Sequence, residues 1–192
     1  MKFIDLSSEE ERSRSVLRVI AYVSLVVLGT IIIYAALDSL THPPEVVGLD
    51  LVNIEFPPPS ISPIYFKPIT IFYMAASLLV YSGLELNKER VRSLSMTKKT
   101  ALKTFAFFVG VVFIFEVGYN FVYWGGQIAA ESIKGSLNPD LISNPFPNLS
   151  TPINVVFASR LFAFFTIAGF YTFYFMTKLE RESAMKSMAE TA

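Results

Sequence analysis

Glu116 and Arg160 are the two formally charged side chains that lie well inside long apolar segments of this 192-residue chain. Ionisable side chains in such segments are rare, face the protein interior and usually find partners. A guanidinium suits a carboxylate because it donates two parallel hydrogen bonds to it. Both side chains lie about seven or eight residues from the same predicted membrane edge, so at 1.5 Å per residue their depths agree to within about 2 Å. We therefore predict that they pair across a helix interface.

Three polar side chains accompany Glu116 on one side of its predicted helix. Tyr119, Asn120 and Tyr123 follow it by three, four and seven residues, a spacing that places all of them on one stripe. In one interpretation the Glu116–Arg160 pair is structural, and loss of either partner destabilises the fold by about 3–5 kcal/mol. In the other, the stripe lines a cavity in which Glu116 binds a cation, a proton or the polar head of a substrate. The structural interpretation is preferred.

The remaining residue types exclude several kinds of site. The chain has no cysteine and one histidine, His42, which excludes disulfides, thiolate ligands, bis-histidine haem and two-histidine metal sites within a single chain. It has no GxSxG motif and no glycine-rich phosphate loop. Nearly every other acidic side chain lies near a predicted helix end, so no second carboxylate continues a proton path from Glu116. We expect no catalytic site, no metal and no cofactor, and we expect that the protein is not an enzyme.

Four long apolar segments must position these side chains. Each is about as long as the ~20 residues that a helix needs to cross a ~30 Å hydrocarbon layer, and together they cover residues of about 16–40, 64–86, 102–124 and 153–177. Charged residues make up 17% of the chain, below the ~25% typical of soluble domains. We therefore predict an all-α integral membrane protein, with residues 1–192 forming a single four-span domain and its four transmembrane helices forming a four-helix bundle.

The basic residues predict the orientation of these helices. Thirteen Lys and Arg side chains lie in the N-terminal arm, in and beside the loop 87–101, and in the C-terminal tail, whereas only Lys67 and Lys134 lie in or beside the other two loops. Loops rich in Lys and Arg stay in the cytoplasm. We therefore predict a multi-pass protein of the cell membrane with both termini and the loop 87–101 in the cytoplasm, and with the loops 41–63 and 125–152 outside.

The two outer loops resemble each other. All 11 prolines of the chain lie in these loops or at the starts of the spans that follow them. Several residues recur after 89 or 90 positions, namely Gly29–Gly118, Tyr34–Tyr123, Asp50–Asp140 and Phe56–Phe146. Both halves begin on the same side of the membrane, so the axis of a repeat would run along the membrane normal. The pattern predicts a 2+2 parallel internal repeat with two long, ordered, proline-rich extracytoplasmic loops; chance similarity of two proline-rich loops is the alternative.

These features favour a membrane protein that has no chemistry of its own. The net charge is zero, which gives no indication of nucleic acid as a partner. With 53% hydrophobic and 15% aromatic residues, the chain has more apolar surface than four helices bury in one another, which favours a non-catalytic accessory or scaffolding subunit of a larger membrane complex. The alternative is a small transporter or channel that uses Glu116 and Arg160, and a weaker alternative is a lipid- or quinone-binding protein. The expected partners are the lipid bilayer and either other membrane subunits or further copies of the chain.

Overall fold

A computed structural model of the chain describes residues 9–41, 51, 67–135 and 155–191. Regular structure in these ranges is entirely helical. The helices are α1 (Glu9–Thr41), α2 (Pro68–Leu86), α3 (Lys88–Arg92), α4 (Met96–Ile133) and α5 (Val155–Thr191). Among them α1, α2, α4 and α5 are long and apolar enough to cross a membrane, which confirms, for the part of the chain described, the prediction of four such helices.

The helix starts follow from the local sequence. Three glutamates, Glu9 to Glu11, occupy the first turn of α1, where negative charge is favourable beside the free backbone amides. Pro68 begins α2, at the position where its missing amide hydrogen and fixed φ angle cost least. The helices α1 and α5 are 33 and 37 residues long, and their charged ends extend beyond the apolar segments.

The predicted loops are described only in part. α4 continues beyond residue 124, the predicted end of its span, to Ile133, so the first nine residues of the loop 125–152 are helical. Most of the rest of that loop, and the loop 41–63 apart from Thr41 and Leu51, lie outside the described residues. Leu51 is buried against Ala35 of α1 and Ile69 of α2. At this position the first outer loop lies against the ends of two helices.

The four long helices pack as an open row, an arrangement that the predicted four-helix bundle did not specify. α1 packs mainly against α2, α2 packs also against α5, and α5 packs against α4 in the most extensive seam. The spatial order is therefore α1–α2–α5–α4. An open row is compatible with the sequence because helices that are apolar on all sides can face lipid as well as one another.

Small residues let α4 and α5 approach closely. Ala106 and Gly110 of α4 lie against Gly169 of α5, and a Cβ atom added to Gly169 would come within 2.6 Å of the Gly110 backbone nitrogen. About one turn away along the same seam, Phe113 stacks on Phe165 with ring centroids 4.7 Å apart. This seam fixes the register of α4 against α5.

Aromatic and polar contacts join α2 to α5. Tyr73 stacks on Phe164 with ring centroids 5.8 Å apart. Closer to α3, the Tyr171 hydroxyl donates a hydrogen bond of 3.0 Å to Glu85 Oε1. Beyond this bond, α5 contributes a cluster of fully buried side chains, namely Phe175, Met176 and Leu179.

Ion pairs cover the end of the row that carries α3, which we call the α3 end. The carboxylate of Glu182 on α5 accepts hydrogen bonds from Lys88 Nζ and from Arg92 Nη2 of α3, with its Oε2 atom 2.8 and 2.7 Å away. Lys103 of α4 pairs with Glu180 of α5. Because so many charges would be costly in hydrocarbon, the α3 end lies outside the apolar layer.

Candidate intramembrane polar site

Glu116 lies midway along α4 with its side chain exposed. Within the described ranges its carboxylate makes no ion pair, either with Arg160 or with another cation. The structure of the single chain therefore does not bring the two predicted partners together.

The register between α4 and α5 explains part of this separation. Asn120 Nδ2 of α4 donates a long hydrogen bond of 3.4 Å to Ser159 Oγ of α5. Because the two helices are antiparallel, Glu116, four residues before Asn120, is level with about residue 163 of α5. Arg160 is three residues away from that level, or about 4.5 Å along the axis.

The direction in which the Glu116 side chain points also separates it from Arg160. Ala106 and Gly110 mark the side of α4 that faces α5. At 100° per residue, Glu116 lies about 100° around the helix from that side. Its carboxylate therefore leaves the seam and emerges on the free surface of α4.

Arg160 lies half-buried in a groove between α2 and α5. The groove has a volume of about 370 Å³ and is lined mainly by apolar side chains, among which Arg160 is the only charge. Its lining residues on α2 are Thr70, Tyr73, Met74, Ser77 and Leu78, and those on α5 besides Arg160 are Ala163, Phe164 and Ile167. Arg160 thus faces the α2 side of α5, whereas α4 packs on another side.

The side chains of the predicted polar stripe lie in two different environments, one in the seam between α4 and α5 and the other on the exposed side of α4. Asn120 is half-buried and joins the seam through Ser159. Tyr119 and Tyr123 stay exposed and stack on each other, with ring centroids 6.1 Å apart and planes inclined by 17°. Together with Glu116 they form a polar face on the free side of α4, which we call the α4 polar face.

No family model, curated protein or solved structure matches this chain. The chemical capacity of the site therefore follows from its own side chains. Glu116 supplies a carboxylate that only accepts hydrogen bonds, and Arg160 supplies a guanidinium with five donors. In the described ranges no three His, Asp or Glu side chains lie close enough together to hold a metal ion. The two opposite charges lie at similar depth on different surfaces of the described chain, Glu116 on the free side of α4 and Arg160 in the groove between α2 and α5.

Three hydroxyl-bearing side chains share the groove with Arg160 and are absent from the predicted site. Thr70, Tyr73 and Ser77 recur along α2 at spacings of three and four residues, which is a readable sign of a common stripe. The Ser77 hydroxyl donates a 2.9 Å hydrogen bond to the Tyr73 carbonyl oxygen, so its own donor is already used. The sequence does not indicate that this stripe meets Arg160, because depth alone does not say which neighbour a side chain of α5 faces.

Proposed function

We propose that this protein is a non-catalytic accessory or scaffolding subunit of a larger complex in the cell membrane. The observation that carries the proposal is the open row, in which α1 packs mainly against α2. Large apolar side chains remain exposed on α1, among them Val26 at 68% and Leu40 at 77%. A helix with apolar residues all around is surrounded by lipid, by other helices or by both. In a complex, helices of another subunit cover this free surface of α1.

The physics of packing in lipid supports this use of α1. Lipid tails are as apolar as leucine, so a chain gains no hydrophobic free energy by closing its helices into a bundle. Association between helices then depends on close van der Waals contact and hydrogen bonds. A row that stays open keeps its outer faces available for such contacts with a partner.

The transporter or channel alternative requires Glu116 and Arg160 to line one pathway. Glu116 faces the free side of α4, whereas Arg160 faces the groove between α2 and α5. Because the two charges do not share a cavity within the chain, we prefer the accessory role.

We also propose that α1–α2 and α4–α5 are parallel repeats. The order α1–α2–α5–α4 is unchanged when the halves are exchanged, as a two-fold axis along the membrane normal requires. The same helix faces are also used in both halves. Ser24 and Ile31 of α1 face α2, and 89 residues later Phe113 and Asn120 of α4 face α5. Gly29 and Gly118 share this offset, which supports the repeat.

Purification from native membranes tests the accessory role. The full chain, tagged at its C-terminus, is extracted in a mild detergent and analysed by native mass spectrometry. We expect a stable complex that contains at least one other integral membrane protein. Recovery of the chain only as monomers or as oligomers of itself would contradict the proposal.

Two matched variants test whether the partner subunit binds to α1. Val26→Trp places a bulky ring on the exposed side of α1 and is expected to reduce recovery of the partner at least tenfold. Ile114→Trp changes a comparably exposed residue of α4, on the side away from Glu116, and is expected to leave recovery unchanged. Equal effects of the two variants would exclude α1 as the contact surface.

A further inference from the structure

Glu116 lies too deep in the apolar segment of α4 for its carboxylate to reach water. It is eight residues from Trp124, the predicted membrane edge, which corresponds to about 12 Å along the helix. That distance exceeds the length of a glutamate side chain. An ionised carboxylate that faces hydrocarbon is costly, so such residues face a partner. Glu116 forms no ion pair within the described part of its own chain, which raises the question of what a partner outside that part would be.

The groove between α2 and α5 presents the opposite charge to the membrane. Arg160 is its one charged lining residue, and the exposed side chains of Met74 and Ile167 form part of its apolar rim. The register places Arg160 only about 4.5 Å from the level of Glu116. A guanidinium has five donors, so a carboxylate can add to whatever contacts Arg160 makes within its own chain.

We propose that copies of this chain associate head to tail, with the α4 polar face of one copy seated in the α2–α5 groove of the next. The Glu116 carboxylate of the first copy then pairs with the Arg160 guanidinium of the second. This contact uses surfaces other than the free side of α1, so it goes beyond the accessory role and does not depend on it.

Charge and depth favour a second copy as the occupant. Arg160 is the only Lys or Arg of the chain that lies well inside a predicted span, and its level nearly matches that of Glu116. Two copies at the same depth in the membrane therefore bring the charges together without tilting. The stacked rings of Tyr119 and Tyr123 lie beside Glu116 and supply the amphipathic surface that an apolar groove with hydroxyl groups can accept. The two faces differ, so the interface is heterologous and builds a ring or a filament.

Charge exchange provides the first test. Oligomer formation by the purified chain is measured by native mass spectrometry and by light scattering in mild detergent. We expect Glu116→Arg and Arg160→Glu each to weaken self-association at least tenfold, and the double variant to restore it. Glu89→Arg reverses an exposed charge at the α3 end and serves as the control, with self-association unchanged.

Cross-linking provides a second test that tolerates poorly folded reversal variants. The chain has no cysteine, so Tyr119→Cys in one tagged copy and Met74→Cys in a differently tagged copy report only on contact between copies. We expect a disulfide-linked pair with the other residues unchanged, and at least a tenfold loss of this product when Glu116→Gln is added to the first copy. Circular dichroism and the elution volume of each variant establish that it remains folded.

Three results would overturn the inference. They are a strictly monomeric wild-type chain, an oligomer that persists equally in Glu116→Gln and Arg160→Gln, and a lipid or quinone bound at Arg160 in the native preparation in place of α4. Each of these results is compatible with recovery of a foreign partner on α1, so failure of the head-to-tail contact is distinguishable from failure of the accessory role.

Discussion

Two acidic side chains, Glu182 and Glu116, differ in whether a cation of the described chain pairs with them. Glu182 lies outside the predicted span, and its carboxylate forms ion pairs with two side chains of α3, Lys88 and Arg92. Glu116, inside a span, has no such cation within the described part of its own chain. The ion pairs of Glu182 join α3 to α5, whereas the Glu116 carboxylate points away from the neighbouring helix α5.

Removal of the Glu182 charge is expected to loosen α3. Glu182→Gln leaves Lys88 and Arg92 without their shared carboxylate, and hydrogen bonds to charged groups of this kind contribute about 1–2 kcal/mol when partly shielded from water. The midpoint of thermal unfolding in detergent should fall by a few degrees. Glu89→Gln is the matched control, because the Glu89 side chain is 63% exposed and its carboxylate pairs with Arg92 of the same short helix. An exposed pair of this type contributes little, so an equal loss in the two variants would contradict this account.

The intramembrane charges show what a sequence reveals at the scale of residues. That Glu116 and Arg160 are exceptional follows directly from the apolar residues around them. That they do not form an ion pair within the described chain could not be predicted, because similar depth does not fix the direction in which a side chain points. Ala106 and Gly110 set that direction through their contact with Gly169, and Glu116 then lies on another side of α4.

At the scale of helices, α4 and α5 approach each other closely at Gly110 and Gly169. An added methyl group on Gly169 would meet backbone atoms of Ala106 and Gly110, which cannot rotate aside. A methyl group on Gly110 would instead meet the ring of Phe170, a side chain that can shift. Substitution by alanine is therefore expected to be tolerated less well at Gly169 than at Gly110, although the two glycines face each other.

This difference is measurable by substitution. Gly169→Ala forces α4 and α5 apart and is expected to destabilise the fold by about 2 kcal/mol, as overpacking does in other cores. Gly110→Ala is expected to cost less. Gly83→Ala, whose new methyl group meets nothing within 4 Å, should be neutral or slightly stabilising because alanine favours helix over glycine. Unfolding in detergent, followed by circular dichroism, ranks the three variants, and equal stability of Gly169→Ala and Gly83→Ala would refute the close crossing.

The sequence predicts that the helices exist, but it predicts the residues at which they end less well. Apolar length predicts four membrane-spanning segments because only a helix satisfies its own backbone hydrogen bonds in lipid. The end of α4 at Ile133, and not near residue 124, could not be inferred in the same way. In water a helix ends where capping and propensity decide, and Gly125 and Gly126 are tolerated within it.

At the scale of the whole molecule, the open row was not predictable from composition. A helix that is apolar on every side gives no indication of which side faces lipid and which faces a neighbour. The specific seams depend on a few small and aromatic side chains, such as Gly169 and Phe113, whose effect appears only when two helices are brought together. The predicted four-helix bundle therefore did not specify which helices are neighbours.

The orientation of the row is a prediction that chemical labelling tests. Because the chain has no cysteine, single substitutions give an unambiguous signal. Ser95→Cys and Ser183→Cys both lie at exposed positions at the α3 end, and Lys134→Cys lies just past α4 at the opposite end. We expect a membrane-impermeant maleimide added to intact cells to label only Lys134→Cys, and to label the other two at least tenfold more strongly after permeabilisation. Labelling of Ser95→Cys in intact cells would reverse the predicted topology.

The spatial order α1–α2–α5–α4 is that of two helical hairpins placed side by side, each formed by helices that follow one another in the sequence. Each extensive seam joins helices that are neighbours in the sequence, so α1 and α2 can dock before the ribosome has finished α4. The second hairpin closes on its own glycine contact in the same manner. The contact between α2 and α5 is the one that joins the two hairpins, so substitutions that weaken it are expected to separate the hairpins without opening either one.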